Sequence, residues 1–408
     1  MDSKDKNKKK LAGAKRRSKD VIRPNIIGAK IENFTVHRRF DECFSGGINL
    51  AIGANGVGKT HLLRILYTTQ RSYSRNHNNP AKFGISSDDF KLAFGTRKLS
   101  LISFGAEEAI ISIISGSGRV NYTIFGSKQN ILGASISGKA PNFLMPIFIE
   151  TAEVVSRASW LVGASERYAD LGVSTTQIDT AKALLAPMLK LEKISVEMHD
   201  AYTRLAKEVG ARPRFTDSND VVMVLDGGVD EAQERTPIKR EDGTVFFPAK
   251  PSYHEVAIAL AAEGHRKLAQ VMILLQNGSI TPGMTLYWDE PETNLNPKLL
   301  RLVAEVLVDL AVAGVQIFVA THSFFLMKEV DLLLLRKREE LGIVPPEDGS
   351  PDKLGRFFAF RLEDGAVAVE RGHTLTDIDT IASLDAELDQ EDRAQRYYWG
   401  KATERKQS

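Results

Sequence analysis

Between Ile26 and Ile52 apolar and polar residues alternate through "GAKIENFTVHRRFDECFSGGINLAIG", a period of two that predicts strands, the last being "INLAI". The spacing becomes helical in "HLLRILYTT". Residues 98–126, "KLSLISFGAEEAIISIISGSGRVNYTIFG", predict antiparallel strands that turn at "SGSGR". From about 150 to 212 the pattern is helical, most clearly in "TAKALLAPMLKLEKISVEMHDAYTRLAKEV", in pieces too short and interrupted for a heptad coiled coil. "SYHEVAIALAAEGHRKLAQVMILLQNG" predicts a helical stretch with Gly264 inside it, and "MTLYWDE" a buried strand closing on two acids. A helix is expected from Pro297 to Ala313, ending before Gly314, then the strand "VQIFVA" and His322. Strand, helix, strand in this order is the grammar of a parallel sheet. After about 350 come a hairpin, "FFAFRLEDGAVAVERG", and a polar helical tail; no internal repeat is present. The expected class is α/β with a mostly parallel sheet, an antiparallel β lobe over 76–149, a helical insertion over 150–212 and a C-terminal unit over 346–408.

The 408 residues are 43% apolar and 26% charged, an ordinary globular composition sufficient for one elaborate domain or two. The first twenty residues carry nine Lys or Arg against three Asp, so a formal net charge of +2 leaves the remainder near −4. We therefore expect a disordered basic tail over 1–22, solubilising or able to touch nucleic-acid phosphates by charge alone, and no broad basic face on the body. A single cysteine, Cys43, excludes an internal disulfide. No apolar run approaches the ~20 residues of a membrane span and no secretory signal is visible, so a cytoplasmic protein without membrane contact is expected. One Cys and eight scattered His exclude a zinc site of the usual type. Arg71, Tyr73 and Arg75 could stack on bases, but a solvated loop is the simpler reading; "TDIDT" over 376–380 reads as a polar turn starting a helix rather than a nuclease's acid pair.

"GANGVGKT", residues 53–60, places Gly, four residues, Gly, Lys and Thr between a predicted strand and a predicted helix, the context of a phosphate cradle. Gly56 and Gly58 free successive N–H groups to face phosphates, and the helix adds its positive end. The expected nucleotide contacts are Gly53, Asn55, Gly56, Val57, Gly58, Lys59, Thr60 and His61. Lys59 would bridge the β- and γ-phosphates of ATP, and Thr60 would give its hydroxyl to Mg²⁺. Open parallel sheets bind ligands beyond their strands' C-terminal ends. "TLYWDEPETNLNP" there offers Asp289 for the Mg²⁺, through water, and Glu290 to polarise the attacking water. His322, in "VATHS", would contact the γ-phosphate. Lys59, Glu290 and His322 are thus the candidate catalytic set. A glycine turn, a capped strand end and a structural histidine are the bland alternatives; three motifs in register favour the functional reading.

With "IENFTVHRRF…GGINLAIGANGVGKTHLL", "LAAEGHRKLAQ", "LYWDEPETNLNP" and "ATHS" in order, the chain resembles the ATP-binding-cassette ATPases of the SMC, RecF and OLD group. The motifs cover roughly 26–75 and 250–330; the stretch 76–249 matches loosely, "MPIFIETAEVVS" resembling a segment of stand-alone prokaryotic ATPases. The resemblance implies a P-loop NTPase core over 23–345, cofactors ATP and Mg²⁺, and a sandwich in which ATP joins the cradle of one copy to the signature helix of another. Gly264 falls at the signature glycine, and Ala262 where the family usually has a serine on the γ-phosphate. Loss of one such hydrogen bond amounts to about 0.5–1.5 kcal/mol. The alternative for Gly264 is a glycine tolerated within a continuous helix. The glutamine that usually links such sites to the lateral lobe would be Gln70 or Gln129. Stand-alone relatives in antiphage systems, PARIS-like or Septu-like, suggest a switch acting on a separately encoded effector. A DNA repair or maintenance ATPase resembling RecF or an SMC head is the alternative, with nucleic acid as a further partner; a membrane-transporter subunit is disfavoured.

Overall fold

A computed structural model describes residues 26–76, 87–94, 101–125, 131–138, 143–167, 172–189, 194–216, 220–225, 238–239, 245–246, 255–363, 365–379, 381 and 389–397. The basic tail and Gln129 lie outside the described residues.

Among the described residues the central sheet has six strands. They are β3 (Ile48–Gly53), β7 (Ile147–Ile149), β13 (Thr285–Asp289), β14 (Gln316–Thr321), β15 (Gly355–Glu363) and β16 (Ala366–Gly372), ordered β16-β15-β3-β14-β13-β7. All neighbours run parallel except the β15–β16 hairpin. Every residue of β3, β13 and β14 is buried, as expected of strands covered on both faces.

The period-two alternation sorts their side chains into two cores. Leu50, Ile52, Leu286, Trp288, Ile317 and Val319 face one layer of helices. That layer holds α3 (Ala158–Arg167), α4 (Thr175–Leu184), α5 (Val196–Val209), α6 (Glu263–Gln276), α7 (Pro297–Val312) and α8 (Phe324–Leu341). Ala51, Tyr287, Phe318 and Ala320 face the other layer, formed by α1 (Lys59–Asn76), α2 (Ser87–Ala93) and an antiparallel sheet. This second sheet is ordered β2-β1-β4-β5-β6, from β1 (Gly28–Phe34), β2 (His37–Cys43), β4 (Glu108–Ile114), β5 (Gly118–Phe125) and β6 (Ile131–Gly138). It therefore draws two strands from before the cradle, whereas β7 joins the central sheet. A small sheet, β12-β9-β8, comprises β8 (Ala211–Phe215), β9 (Val221–Leu225) and β12 (Glu255–Ala257); β10 (Ile238–Lys239) and β11 (Val245–Phe246) pair separately. The fold is α/β, with a mostly parallel central sheet, an antiparallel sheet and a helical layer.

Three readings of the sequence change. The stretch 252–278 is not one helix: Glu255–Ala257 pair with β9, Ala261 and Ala262 stay extended, and α6 begins at Glu263. Arg71, Tyr73 and Arg75 lie on the last turns of α1 rather than in a solvated loop. Tyr73 is buried, and the guanidinium groups of Arg71 and Arg75 both donate to Asp179 of α4, with Arg75 Nη2 2.7 Å away. The C-terminal hairpin is no appendage, since β15 lies parallel beside β3. Of the turn expected over 376–380 to start a helix, the described residues show a short 3-10 turn at Leu375–Asp377, in which Asp377 accepts from the backbone N–H groups of His373 and Thr374 at 2.8 and 2.9 Å, and Thr380 lies outside the described residues.

Register sets what lies at the sheet's C-terminal edge. Asp289 is level with Ala320, and Thr321 with Ile52, so the ends of β13, β14 and β3 emerge side by side. Leu50, fully buried in β3, supports this edge. Leu50→Ala is expected to lower the unfolding free energy by about 2–5 kcal/mol in urea denaturation; a loss under about 0.5 kcal/mol would contradict its burial between the central sheet and the helical layer.

Candidate functional site

The loop after β3 turns through Gly56 and Gly58 at φ of 83° and 94°, values that favour glycine. A Cβ on Gly56 would meet nothing within 4 Å, whereas one on Gly58 would lie 2.5 Å from Val36 Cγ2 and 2.9 Å from His37 Nε2. The loop is thus open on one side and backed by the β1–β2 turn on the other. His37, fully buried, lies with Nε2 3.0 Å from the Gly58 carbonyl; a carbonyl only accepts, so Nε2 carries the proton and donates. Burial lowers the His37 pKa to about 4, leaving it neutral. α1 opens at Lys59, directing its free first-turn N–H groups toward the loop.

Lys59 is buried, and its ammonium donates to the carbonyls of Gly53 and Ala54 at 2.7 Å each. Burial lowers its pKa, opposed by attraction to Glu290, Asp289 and Glu292. Asn55 and Gly56 are exposed and Val57 is buried. His61 points to the antiparallel layer: its Nδ1 lies 3.1 Å from Thr35 Oγ1, and its ring meets Phe94 edge-on with centroids 5.1 Å apart.

Thr60 Oγ1 donates to Asp289 Oδ1 at 2.9 Å, joining the loop to the end of β13. Asp289 is raised from 3.8 to about 6, chiefly by burial, with Glu290 and Glu150 adding and Thr60 and Arg64 opposing. Glu290 donates its N–H to the Ala320 carbonyl at 2.8 Å and adopts φ 47°, a conformation costing a non-glycine residue about 1–3 kcal/mol. The Thr293 N–H closes the turn on the Glu290 carbonyl at 3.2 Å. His322 Nδ1, just past β14, lies 3.4 Å from Glu290 Oε1 and 3.2 Å from Glu292 Oε1. Glu292 is the turn's internal brace: Oε1 accepts from Thr321 Oγ1 at 2.7 Å, His322 N at 2.9 Å and Ser323 N at 3.2 Å.

The N-terminal turn of α6 rests on this acidic turn. A Cβ on Gly264 would lie 2.6 Å from the Asn294 carbonyl, so close backbone approach, not tolerance within a continuous helix, accounts for the glycine. Ala262 occupies the N-cap and supplies no side-chain cap. One turn on, Lys267 is fully buried and donates to the carbonyls of Glu290 and Thr293, both at 3.1 Å. Burial lowers its pKa to about 8 against the pull of Glu292, Glu263, Glu290 and Asp289. Gln70 is not free to link lobes: its Nε2 donates to Thr285 Oγ1 at 2.8 Å, and its Oε1 accepts from Tyr287 OH at 2.9 Å, inside the core.

Lys59, Thr60, Asp289, Glu290 and His322 therefore meet along one edge, while Gly264 approaches it from beneath the acidic turn. Sequence reasoning did not single out His37, Glu292 or Lys267. Among the described residues, no group of three or more His, Cys, Asp or Glu could hold a metal. The open loop and the hydroxyl–carboxylate pair of Thr60 and Asp289 instead suit Mg²⁺, a hard cation that takes few protein oxygens and completes its shell with water and phosphate.

A protein-family model described as "AAA domain, putative AbiEii toxin, Type IV TA system" matches residues 191–328, about a third of the chain. The span contains α6, the acidic turn and His322 but not the loop at 53–60. No curated protein gives a significant match. Among solved structures the chain is similar to the SMC head domain from Thermotoga maritima, at 12% identity and TM-score 0.44, covering 86% of this chain and 99% of that one. It is also similar to an Smc head bound to the C-winged helix domain of ScpA, at 14% and 0.48, covering 86% and 98%. A third is an Smc head domain with an extended coiled coil bound to the C-terminal domain of ScpA, derived from Pyrococcus furiosus, at 11% and 0.48, covering 90% and 99%. At these values the likeness says nothing about activity. Among the described residues no helix is long and apolar enough to cross a membrane.

A raised pKa makes the ionised Asp289 carboxylate a burden on the fold. Its contribution is favourable below the unfolded value of 3.8 and is lost as pH rises through about 6, amounting to about 3 kcal/mol by pH 8. Asp289→Asn should therefore raise the melting temperature at pH 8, and the gain should vanish near pH 4. An equal gain at both pH values would rule out the titration as its cause.

Proposed function

We propose that the protein binds MgATP at the loop 53–60 and hydrolyses its terminal phosphate, using the cycle as a switch on a separately encoded effector. The observation that carries this reading is the Thr60–Asp289 hydrogen bond of 2.9 Å, which brings two motifs 229 residues apart onto one prospective ion. Backbone N–H groups of the loop and the first turn of α1 would cradle the phosphates. Lys59 would exchange the carbonyls of Gly53 and Ala54 for β- and γ-phosphate oxygens. Thr60 and Asp289 would hold Mg²⁺, which neutralises charge on the phosphate oxygens when bound.

Glu290 would take the proton of the attacking water, and His322, set between Glu290 and Glu292, would contact the γ-phosphate. A second copy would close on the bound ATP, its α6 N-terminus supplying the opposite wall. The family description over 191–328, with its toxin and toxin–antitoxin terms, supports a defence role for the switch.

Lys59→Ala should weaken binding of a fluorescent ATP analogue by about 100-fold or more; unchanged affinity would refute the cradle. Glu290→Gln should bind ATP like the parent, release phosphate at least about 100-fold more slowly, and run as a dimer in light scattering with ATP. Turnover at the parental rate would assign the base elsewhere. Phage challenge of cells carrying the chain with its neighbouring gene tests the effector role: Lys59→Ala should abolish protection, and protection independent of Lys59 would remove the switch.

A further inference from the structure

We propose that Lys267 is the positioning residue that holds Glu290 in its reactive pose and ties that pose to the N-terminal turn of α6. The proposal rests on the reading of Glu290 as the base. Lys267 lies on the buried face of α6 with Leu268, Val271 and Leu275, and no part of it reaches solvent. An ammonium there carries a desolvation penalty of several kcal/mol, which an apolar residue of similar volume would avoid. Two 3.1 Å hydrogen bonds, to the carbonyls of Glu290 and Thr293, show what the amine does there.

Those carbonyls lie at the two ends of the bend in which Glu290 takes φ 47° and Thr293 N–H closes on Glu290. Without an anchor the bend would relax toward negative φ, carrying the Glu290 carboxylate away from His322 Nδ1, now 3.4 Å distant. The positive charge also faces Asp289, Glu290 and Glu292, whose crowding in one turn would otherwise be repulsive. α6 touches the turn at a second point, where Gly264 abuts the Asn294 carbonyl, and Asn294 is itself at φ 63°. A shift of the α6 N-terminus is thereby passed to Glu290 through one buried side chain. Occupancy at that helix end, by a second copy's nucleotide in the reading above, sets the pose of the base.

The test uses the full chain carrying Lys267→Met, with Lys267→Arg as the conservative partner. In Lys267→Met, affinity for a fluorescent ATP analogue and KM should stay within about 3-fold of the parent, while kcat falls about 10- to 100-fold; Lys267→Arg should recover part of it. Without nucleotide, hydrogen exchange of the amides of 290–295 should speed up at least about 10-fold in Lys267→Met and less in Lys267→Arg. Parental kcat with unchanged exchange in Lys267→Met would overturn the proposal, as would binding and turnover falling together. Should Lys267→Met fail to fold, parental kcat and exchange in Lys267→Arg would overturn it and intermediate values would uphold it. A parent that binds but does not hydrolyse ATP would refute the assignment of Glu290 as base, and the exchange comparison would still decide the anchor.

Discussion

Parallel pairing in strict register is the constraint on which the rest of the molecule depends. Side chains alternate along a strand with a period of two, so a one-residue slip of β13 against β14 would turn Trp288 to the opposite face and Asp289 away from Thr60. The two cores enforce the register, because Leu286 and Trp288 belong to one and Tyr287 to the other. The geometry of the site therefore derives from hydrophobic burial well below it. Polar groups in the core, such as Gln70 between Thr285 and Tyr287, lock α1 to β13 and narrow that choice further.

At the sheet edge the electrostatics are balanced on a small scale. Asp289, Glu290 and Glu292 occupy four residues of chain, an arrangement that would repel in a low-dielectric setting. Lys59 approaches from the loop side and Lys267 from the helical side, each bound to backbone carbonyls rather than directly to the acids. The carboxylates keep their lone pairs for other partners while sharing the two positive charges. Glu292 uses its own on Thr321, His322 and Ser323, holding the end of β14 in place.

What could be read in the sequence follows from the range of the interactions. The loop at 53–60, the acids ending "LYWDE" and the histidine after "VQIFVA" are visible because strand, turn and helix signals are local. His37, Glu292 and Lys267 take their roles from neighbours far along the chain, and spacing alone does not disclose which strand ends meet. A signal for Lys267 existed, since it interrupts an apolar face shared by Leu268, Val271 and Leu275. The start of α6 was obscured because "EVAIALAAE" has helical propensity, but Glu255–Ala257 pair with β9, and Ala261 and Ala262 stay extended. The end of α1 looked like a loop for the opposite reason: its Arg and Ser residues are polar, but Asp179 draws both Arg71 and Arg75 into contact.

The position of β3 bears on how the protein is made. It leads into the loop at 53–60, yet both its sheet neighbours, β14 and β15, lie some 260–310 residues downstream. At about 5–20 residues per second the ribosome needs roughly 15–60 s to reach them. Until then β3 and the loop after it have no sheet partners. The central sheet around β3 can therefore close only after these distant strands have been made, and such long-range closure makes for slow folding.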